Sequence, residues 1–323
     1  MPRAFVGTND GLFEIDLDAS SPEAGAVGGF HGQEVTALAP DSDGERLWAV
    51  TDGRTLKLQE AAGSWLEVAR SDQHDLTCVH ASSSGLLAGT DEAHLLRLED
   101  DGLTQLDAFE KVKGRKRWYT PWGGPPAVRS LGQDLAGRLH VNVHVGGIPR
   151  SADGGDTWEA TIDVDADVHQ VLAHPAKPDM VFAAAAVGLA CSEDGGRRWR
   201  TETEGLHATY ARAVALALLP DPDGEEGQDM VLVSVSSGPG GRRAAVYRAP
   251  LGDTPGGSLQ FERCRQGLPT WFSANVDTGC LAASGTAALF GTADGTLYAS
   301  NDSGGSWQEL VSGLPPVRSV VFA

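Results

Sequence analysis

The sequence predicts an all-β fold, a seven-bladed β-propeller closed on itself, from three observations. An octet recurs as Ser151-Ala-Asp-Gly-Gly-Asp-Thr-Trp158, Ser192-Glu-Asp-Gly-Gly-Arg-Arg-Trp199 and Ser300-Asn-Asp-Ser-Gly-Gly-Ser-Trp307. Seven short apolar runs recur, each ending near a Gly or Thr-Asp-Gly turn. A second strand-like run precedes all of these but the first, and the missing one stands at the other end of the chain, Val317–Ala323. Periodic self-similarity means repeat architecture. A ring in which the last strand pairs with the first has no exposed sheet edges.

In each octet a Ser, an Asp two on, a Gly two further and a Trp three beyond fit a strand, a tight turn and a second strand. The Asp can hydrogen-bond its own turn, the Gly can take positive φ, and the Trp covers the turn with apolar area. Leu58–Trp65 reads as a worn fourth copy. The seven apolar runs are Ala4–Gly11, Leu47–Gly53, Leu86–Asp91, Leu139–Gly147, Val181–Gly188, Met230–Gly238 and Ala288–Gly295. Their predicted innermost partners are Val35–Ala39, Leu76–His80, Val128–Leu131, Val168–Leu172, Ala211–Leu216, Val276–Leu281 and the C-terminal run. Strands of this length with Gly, Asp and Pro between them fit the architecture, and no stretch carries an amphipathic helix period over three turns. A propeller adds blades without starting a new core, so residues 1–323 are expected to form one domain, with insertions at about 109–126 and 220–271.

The octet is an Asp-box, and the chain resembles the Asp-box (BNR-repeat) proteins, which include sialidases and sortilin-type receptors. The resemblance implies that the box is a fold element on the turn between the outer two strands of a blade, far from any ligand face.

A formal charge of −19 and a pI near 4.7 argue against nucleic acid and anionic membrane as partners, because phosphate contacts need clustered positive charge. Five lysines stand against 44 acidic residues, a balance suited to concentrated salt, where the Debye length shrinks to ~3 Å at 1 M. A halophilic, cytoplasmic protein is the expectation, with no secretion leader and no segment near the ~20 apolar residues of a membrane helix. Cys78, Cys191, Cys264 and Cys280 lack Cys-x-x-Cys spacing and are expected to be buried free thiols.

Propellers bind ligands at the channel mouth, where the innermost strands begin. One common register across the seven blades gives Thr36, Thr77, Arg129, His169, Arg212, Asp277 and Arg318; two positions earlier, on the same side of a period-two strand, come Glu34, Asp75, Ala127, Asp167, Tyr210, Asn275 and Pro316. Three arginines from three blades repel one another unless anions intervene. The expected ligand is therefore a small carboxylate or phosphate, possibly an acidic sugar, held in a bidentate guanidinium fork. The alternative is an ion-pair ring in which Glu34, Asp75, Asp167 and Asp277 neutralise the arginines. The sialidase resemblance implies an arginine triad (Arg129, Arg212, Arg318) and a tyrosine nucleophile, Tyr210, with Glu34 or Asp75 as its base. Seven blades rather than six, and no Phe-Arg-Ile-Pro-type motif, set the chain apart from sialidases.

No cofactor is implied, and no bound metal is expected, since a histidine near a strand end is more often structural. The competing reading places a divalent ion on His144, His169 and Asp277. The segment Lys111–Pro126 holds three of the five lysines together with Trp118 and Trp122, a basic aromatic flap suited to an anion or a sugar ring. The arm Leu268–Asn275 brings Trp271, Phe272 and Asn275 to the same side, and Ser234 and Ser236 share a strand face nearby. Two functions of different classes follow: a small anion site at the mouth, with or without glycoside hydrolysis, or a non-catalytic scaffold whose rim binds another protein.

Overall fold

The computed structural model describes residues 3–17, 22–61, 63–219, 227–252 and 256–323. Seven four-stranded antiparallel sheets form, and the strand Val317–Phe322 completes the sheet that begins with Arg3–Thr8. We number this blade I and the others II to VII along the chain. The innermost strands of blades II to VII are Val35–Pro40, Leu76–Ser82, Val128–Gln133, Val168–Ala173, Tyr210–Leu219 and Leu281–Ser284. Each packs on the next, and Val317–Phe322 packs on Val35–Pro40, so the ring is closed.

The second strands are mostly apolar because both faces are covered by neighbouring blades: Leu47–Thr51, Leu139–Val143, Val181–Ala185 and Ala287–Gly291 are buried at every position, His140 and Asn142 included. Three of these runs contain Gly-Thr, at Gly7, Gly89 and Gly291. A Cβ on Gly89 would lie 2.4 Å from Val128 of the next blade, and one on Gly291 2.4 Å from Val317. Glycine is what lets adjacent blades approach this closely.

The three octets fold alike, in blades IV, V and VII. Ser151 Oγ bonds Asp153 at 2.7 Å and accepts from Gly155 N at 2.9 Å, Asp153 accepts from Thr157 N, and Trp158 Nε1 donates to Gly155 O at 2.9 Å. The same bonds recur around Ser192 and Ser300. Each octet joins the third and fourth strands, which antiparallel order puts at the end of the blade opposite the start of the innermost strand. The corresponding turn of blade II, within Leu58–Trp65, includes residue 62, which lies outside the described residues.

Two expectations are corrected. Gln228–Ser236, Ala245–Pro250 and Glu262–Arg263 are the second to fourth strands of blade VI, so most of 220–271 is blade rather than insertion. The spacing stretches there because the first two strands of this blade run to ten and nine residues; residues 220–226 and 253–255 of the arm lie outside the described residues. Val276–Cys280 is not strand either: Cys280 N donates to Asp277 O, Gly279 sits at φ 76°, and the strand starts only at Leu281. The four cysteines are free and buried.

Beneath blade IV, Asp134 is buried and accepts from Arg138 Nε at 2.6 Å and lies 3.1 Å from His140 Nε2. Burial pushes its carboxyl up, but His140 and Arg138 overcome this and hold it at about 2. A carboxyl depressed in the folded state stabilises at pH values above its unfolded pKa of about 3.9 and loses that contribution as pH falls toward 2. Asp134→Asn is therefore expected to lower stability by roughly 2 kcal/mol at pH 7 and by little at pH 2; urea titrations of both proteins across that range check it.

Candidate functional site

The register identified at the mouth coincides with a backbone irregularity. In six blades the innermost strand skips one partner, and the unpaired residues are Thr36, Thr77, Arg129, His169, Arg212 and Arg318. A bulge inserts one residue into the strand and re-aims its side chain. The carbonyl just before the bulge leaves the ladder and is satisfied from the preceding blade. Asn142 donates to Val168 O at 2.8 Å, His169 Nδ1 lies 2.5 Å from Ala211 O, and Thr77 donates to Val128 O. In blade VII, where a turn replaces the bulge, Ser234 donates to Val276 O at 2.7 Å. Ser234 thus has a structural partner, and Ser236 caps its own turn at Gly238.

The turn before Leu281 reaches across the channel. Thr278 Oγ1 lies 3.0 Å from His169 O and 3.2 Å from Arg212 O, while Val320 N donates to Gly279 O at 2.8 Å. This cross-piece carries Asp277 toward the arginines. Above it opens a cavity of about 630 Å³ lined by Glu34, Asp75, Trp122, Arg129, His144 and Arg318, among others. A side cavity of about 250 Å³ adds Arg212 and Asn275 and shares Asp277 and Arg318 with the first.

Arg212 binds Asp277 through both nitrogens, Nε–Oδ1 2.9 Å and Nη2–Oδ2 2.6 Å. Arg318 pairs with Glu34 at 2.9 Å and with Asn9, and Asp75 pairs with Arg54. Arg129 differs: its nearest carboxylate oxygen is Asp277 Oδ1 at 3.8 Å, and it donates no hydrogen bond to the described residues. Burial and the neighbouring Arg212 lower the Arg129 pKa against the pull of Asp277. Burial works to raise the Asp277 carboxyl, and Arg212 with Arg129 holds it below the usual carboxylate range.

Tyr210 is not joined to either carboxylate expected to serve it. Its ring lies 4.7 Å from His169, its hydroxyl is 3.4 Å from Arg212, and Glu34 and Asp75 are paired elsewhere. Burial raises the phenol pKa, with Asp167 adding and Arg212 opposing. Trp118 turns away from the mouth into the core against Phe109 and beneath Arg115, because Phe109 and Val112 present an apolar bed for it. Trp122 is 64 % exposed and lines the main cavity beside His144, 5.1 Å between rings. Trp271 and Phe272 are pinned under Arg263 and against Phe290, and Asn275 donates to Pro239 O.

The residue set of the competing metal reading is corrected in one member. Asp277 is taken by Arg212, and the carboxylate that meets His144 and His169 is Asp167, at 3.0 and 3.6 Å. Asp167 stands two residues before His169, on the same side of a period-two strand, so a signal for it was present. Burial works to raise its carboxyl, and the adjacent His144 and His169 hold it well below the usual range.

Fold and mouth together define a seven-bladed β-propeller with a charged cavity where the innermost strands begin. No protein-family model and no curated protein matches the chain. Among solved structures it is similar over 100 % of its length to a candidate 6-phosphogluconolactonase from Bacteroides fragilis NCTC 9343, at 12 % identity, 98 % coverage of that chain and a TM-score of 0.68. A candidate 6-phosphogluconolactonase from Bacteroides uniformis ATCC 8492 matches at 13 % identity, 100 % and 99 % coverage, and TM-score 0.66. YCF48 from Cyanidioschyzon merolae matches at 14 % identity, 87 % of each chain and TM-score 0.57. At these identities the likeness is one of fold.

Proposed function

We infer that the mouth binds a small anion, a carboxylate or phosphate such as an acidic or phosphorylated sugar, with Arg129 as the principal contact. The observation that carries this is a guanidinium without a hydrogen bond: Arg129 is only 23 % exposed, lines the main cavity, meets Asp277 only as a long ion-pair contact at 3.8 Å and donates no hydrogen bond to the described residues. Its neighbours Arg212 and Arg318 already hold carboxylates. A partly desolvated guanidinium with its fork vacant is matched by a planar or tetrahedral anion. Trp122 supplies an apolar face at the same opening. The names of the two lactonase neighbours put a sugar phosphate among the first probes, beside inorganic phosphate, glucuronate and N-acetylneuraminate.

Calorimetric titration with these four compounds is expected to find at least one binder. Arg129→Gln should weaken it at least tenfold, about 1.4 kcal/mol, with the melting temperature little changed. Equal binding by Arg129→Gln, or no binding by any probe, would reject the reading. Glycoside hydrolysis has less support, because no carboxylate lies within hydrogen-bond reach of the Tyr210 hydroxyl among the described residues.

One observation favours the scaffold as second reading. Lys111, Lys113, Lys116 and Arg117 are exposed beside Tyr119 and Trp122 on the rim of a chain whose net charge is −19. Such a ridge suits an acidic protein surface, and a partner bound there would survive Arg129→Gln.

A further inference from the structure

We propose that His144, Asp167 and His169 form a binding site for a divalent transition-metal ion of the Zn²⁺ class, with an open position toward the main cavity. His144 Nε2, Asp167 Oδ1 and His169 Nε2 are all buried; the first two lie 3.0 Å apart as an ion-pair contact without hydrogen-bond geometry, and His169 Nε2 has no hydrogen-bond partner among the described residues. One donor from each of the three residues lies within 4.8 Å of the others. Other buried atoms such as Trp65 Nε1 and Arg263 Nε also lack partners among the described residues, but here two imidazole nitrogens and a carboxylate gather at one point, a donor set that suits a metal ion.

The tautomer of His169 sharpens the conflict. Its Nδ1 is 2.5 Å from Ala211 O and must carry the proton. The neutral ring then presents a bare lone pair at Nε2, and the nearest carboxylate oxygen facing it, Asp167 Oδ2, lies at 3.6 Å. Two acceptors face each other, beyond hydrogen-bonding range. A metal ion resolves this, because it takes the lone pair of each. A ring nitrogen fixed by a backbone carbonyl, with the other nitrogen free, is the usual posture of a metal-binding histidine.

The spacing fits as well. His144 Nε2 lies 3.0 Å from Asp167 Oδ1 and His169 Nε2 3.6 Å from Asp167 Oδ2, each imidazole meeting its own oxygen of the carboxylate at a separation near the ~3.4 Å between donors that surround tetrahedral Zn²⁺ at ~2.1 Å. Two histidines and one carboxylate with a vacant fourth direction form an open site rather than a closed structural one. His144 lines the main cavity, so the vacant direction points there. Arg129 and Arg212 stand nearby and oppose a cation, but Asp277 offsets them. The backbone is set for the purpose: Asp167 sits at φ 50°, directly before the bulge that aims His169 inward.

The test uses the whole protein after chelator treatment and metal alone, without an anionic ligand, so it is independent of the anion reading. Titration with Zn²⁺ is expected to show one ion per chain, and Co²⁺ to give a visible d–d absorption band from imidazole and carboxylate ligands. Two variants are chosen to keep the fold. Asp167→Asn retains a residue that tolerates positive φ, and His144→Gln alters a side chain at the edge of the cavity. Each should lose Zn²⁺ affinity by about 100-fold and abolish the Co²⁺ band while melting normally. His94→Ala, in the separate His74, Glu92 and His94 group, should leave both readouts intact. Absence of stoichiometric binding, variants that bind like the parent, or loss of binding in His94→Ala would each overturn the proposal.

Discussion

A chain lacking Val317–Ala323 is expected not to fold to a stable propeller. That strand supplies the inner edge of blade I, pairing with Arg3–Thr8 from Ala4↔Phe322 to Thr8↔Val317. It also buries Val317 and Val320 and packs on blades VII and II. Two buried valines at roughly 1.5–3 kcal/mol each, the uncapped strand Arg3–Thr8 and the exposed flanks of two further blades together approach the 5–15 kcal/mol that holds a typical domain. The exposed edge would also template association. Circular dichroism melting and size-exclusion chromatography should show a broad, low transition and aggregation. Moving the same strand ahead of residue 3 restores every pairing through a hairpin, since Ala323 N already bonds Arg3 O at 2.8 Å, and this permutant should melt near the parent. A truncated chain with a transition within a few degrees of the parent would contradict ring closure as the source of stability.

How far the sequence carried the fold and the site has a physical reason in each case. Blade count and closure were legible because second strands buried on both faces leave continuous apolar runs, and Gly-Thr marks where the next blade presses in at Gly7, Gly89 and Gly291. The mouth register was legible because each bulge follows a buried residue, Val35, Leu76, Val128, Val168, Ala211 or Val317, and places a polar one next. The pairing of charges is legible in part. The ion-pair alternative sets Glu34 and Asp277 against the arginines, and Arg318 and Arg212 hold them, whereas Asp75 goes to Arg54; the competing metal reading gives Asp277 to the histidines by register, but blade VII exchanges its bulge for a turn, which swings that carboxylate to Arg212 and leaves the histidines to Asp167. Trp118 and Trp122 are four residues apart in one loop and have opposite fates. Contact with Phe109 and Val112, earlier in the same insertion, decides which is buried.

The exchange at Asp277 leads to the second large effect. Asp277→Ala is expected to destabilise the protein by about 2–3 kcal/mol at low ionic strength. Removing one partner of a fully buried ion pair costs about 3–5 kcal/mol, and the lower figure applies because Asp277 remains 43 % exposed while Arg212 is only 11 % exposed. The loss is more than one ion pair, since Arg212 and Arg129 are left with their common anion gone, and Arg212 already disfavours the charge on Arg129. Thr278 also loses the bond its N–H makes to Asp277 Oδ1 at 2.7 Å, which holds the cross-piece over the channel. Asp277→Asn keeps a hydrogen-bonding oxygen but not the charge, so it should fall between the variant and the parent. Added acetate or phosphate should restore part of the stability of Asp277→Ala, because a free anion can occupy the place of the missing carboxylate between the two guanidiniums. Urea unfolding with and without these salts, against chloride at equal ionic strength, measures the effect. A change below about 1 kcal/mol, the range of an exposed ion pair, would mean that the arginines are already accommodated by solvent and that the mouth exerts no pull on anions.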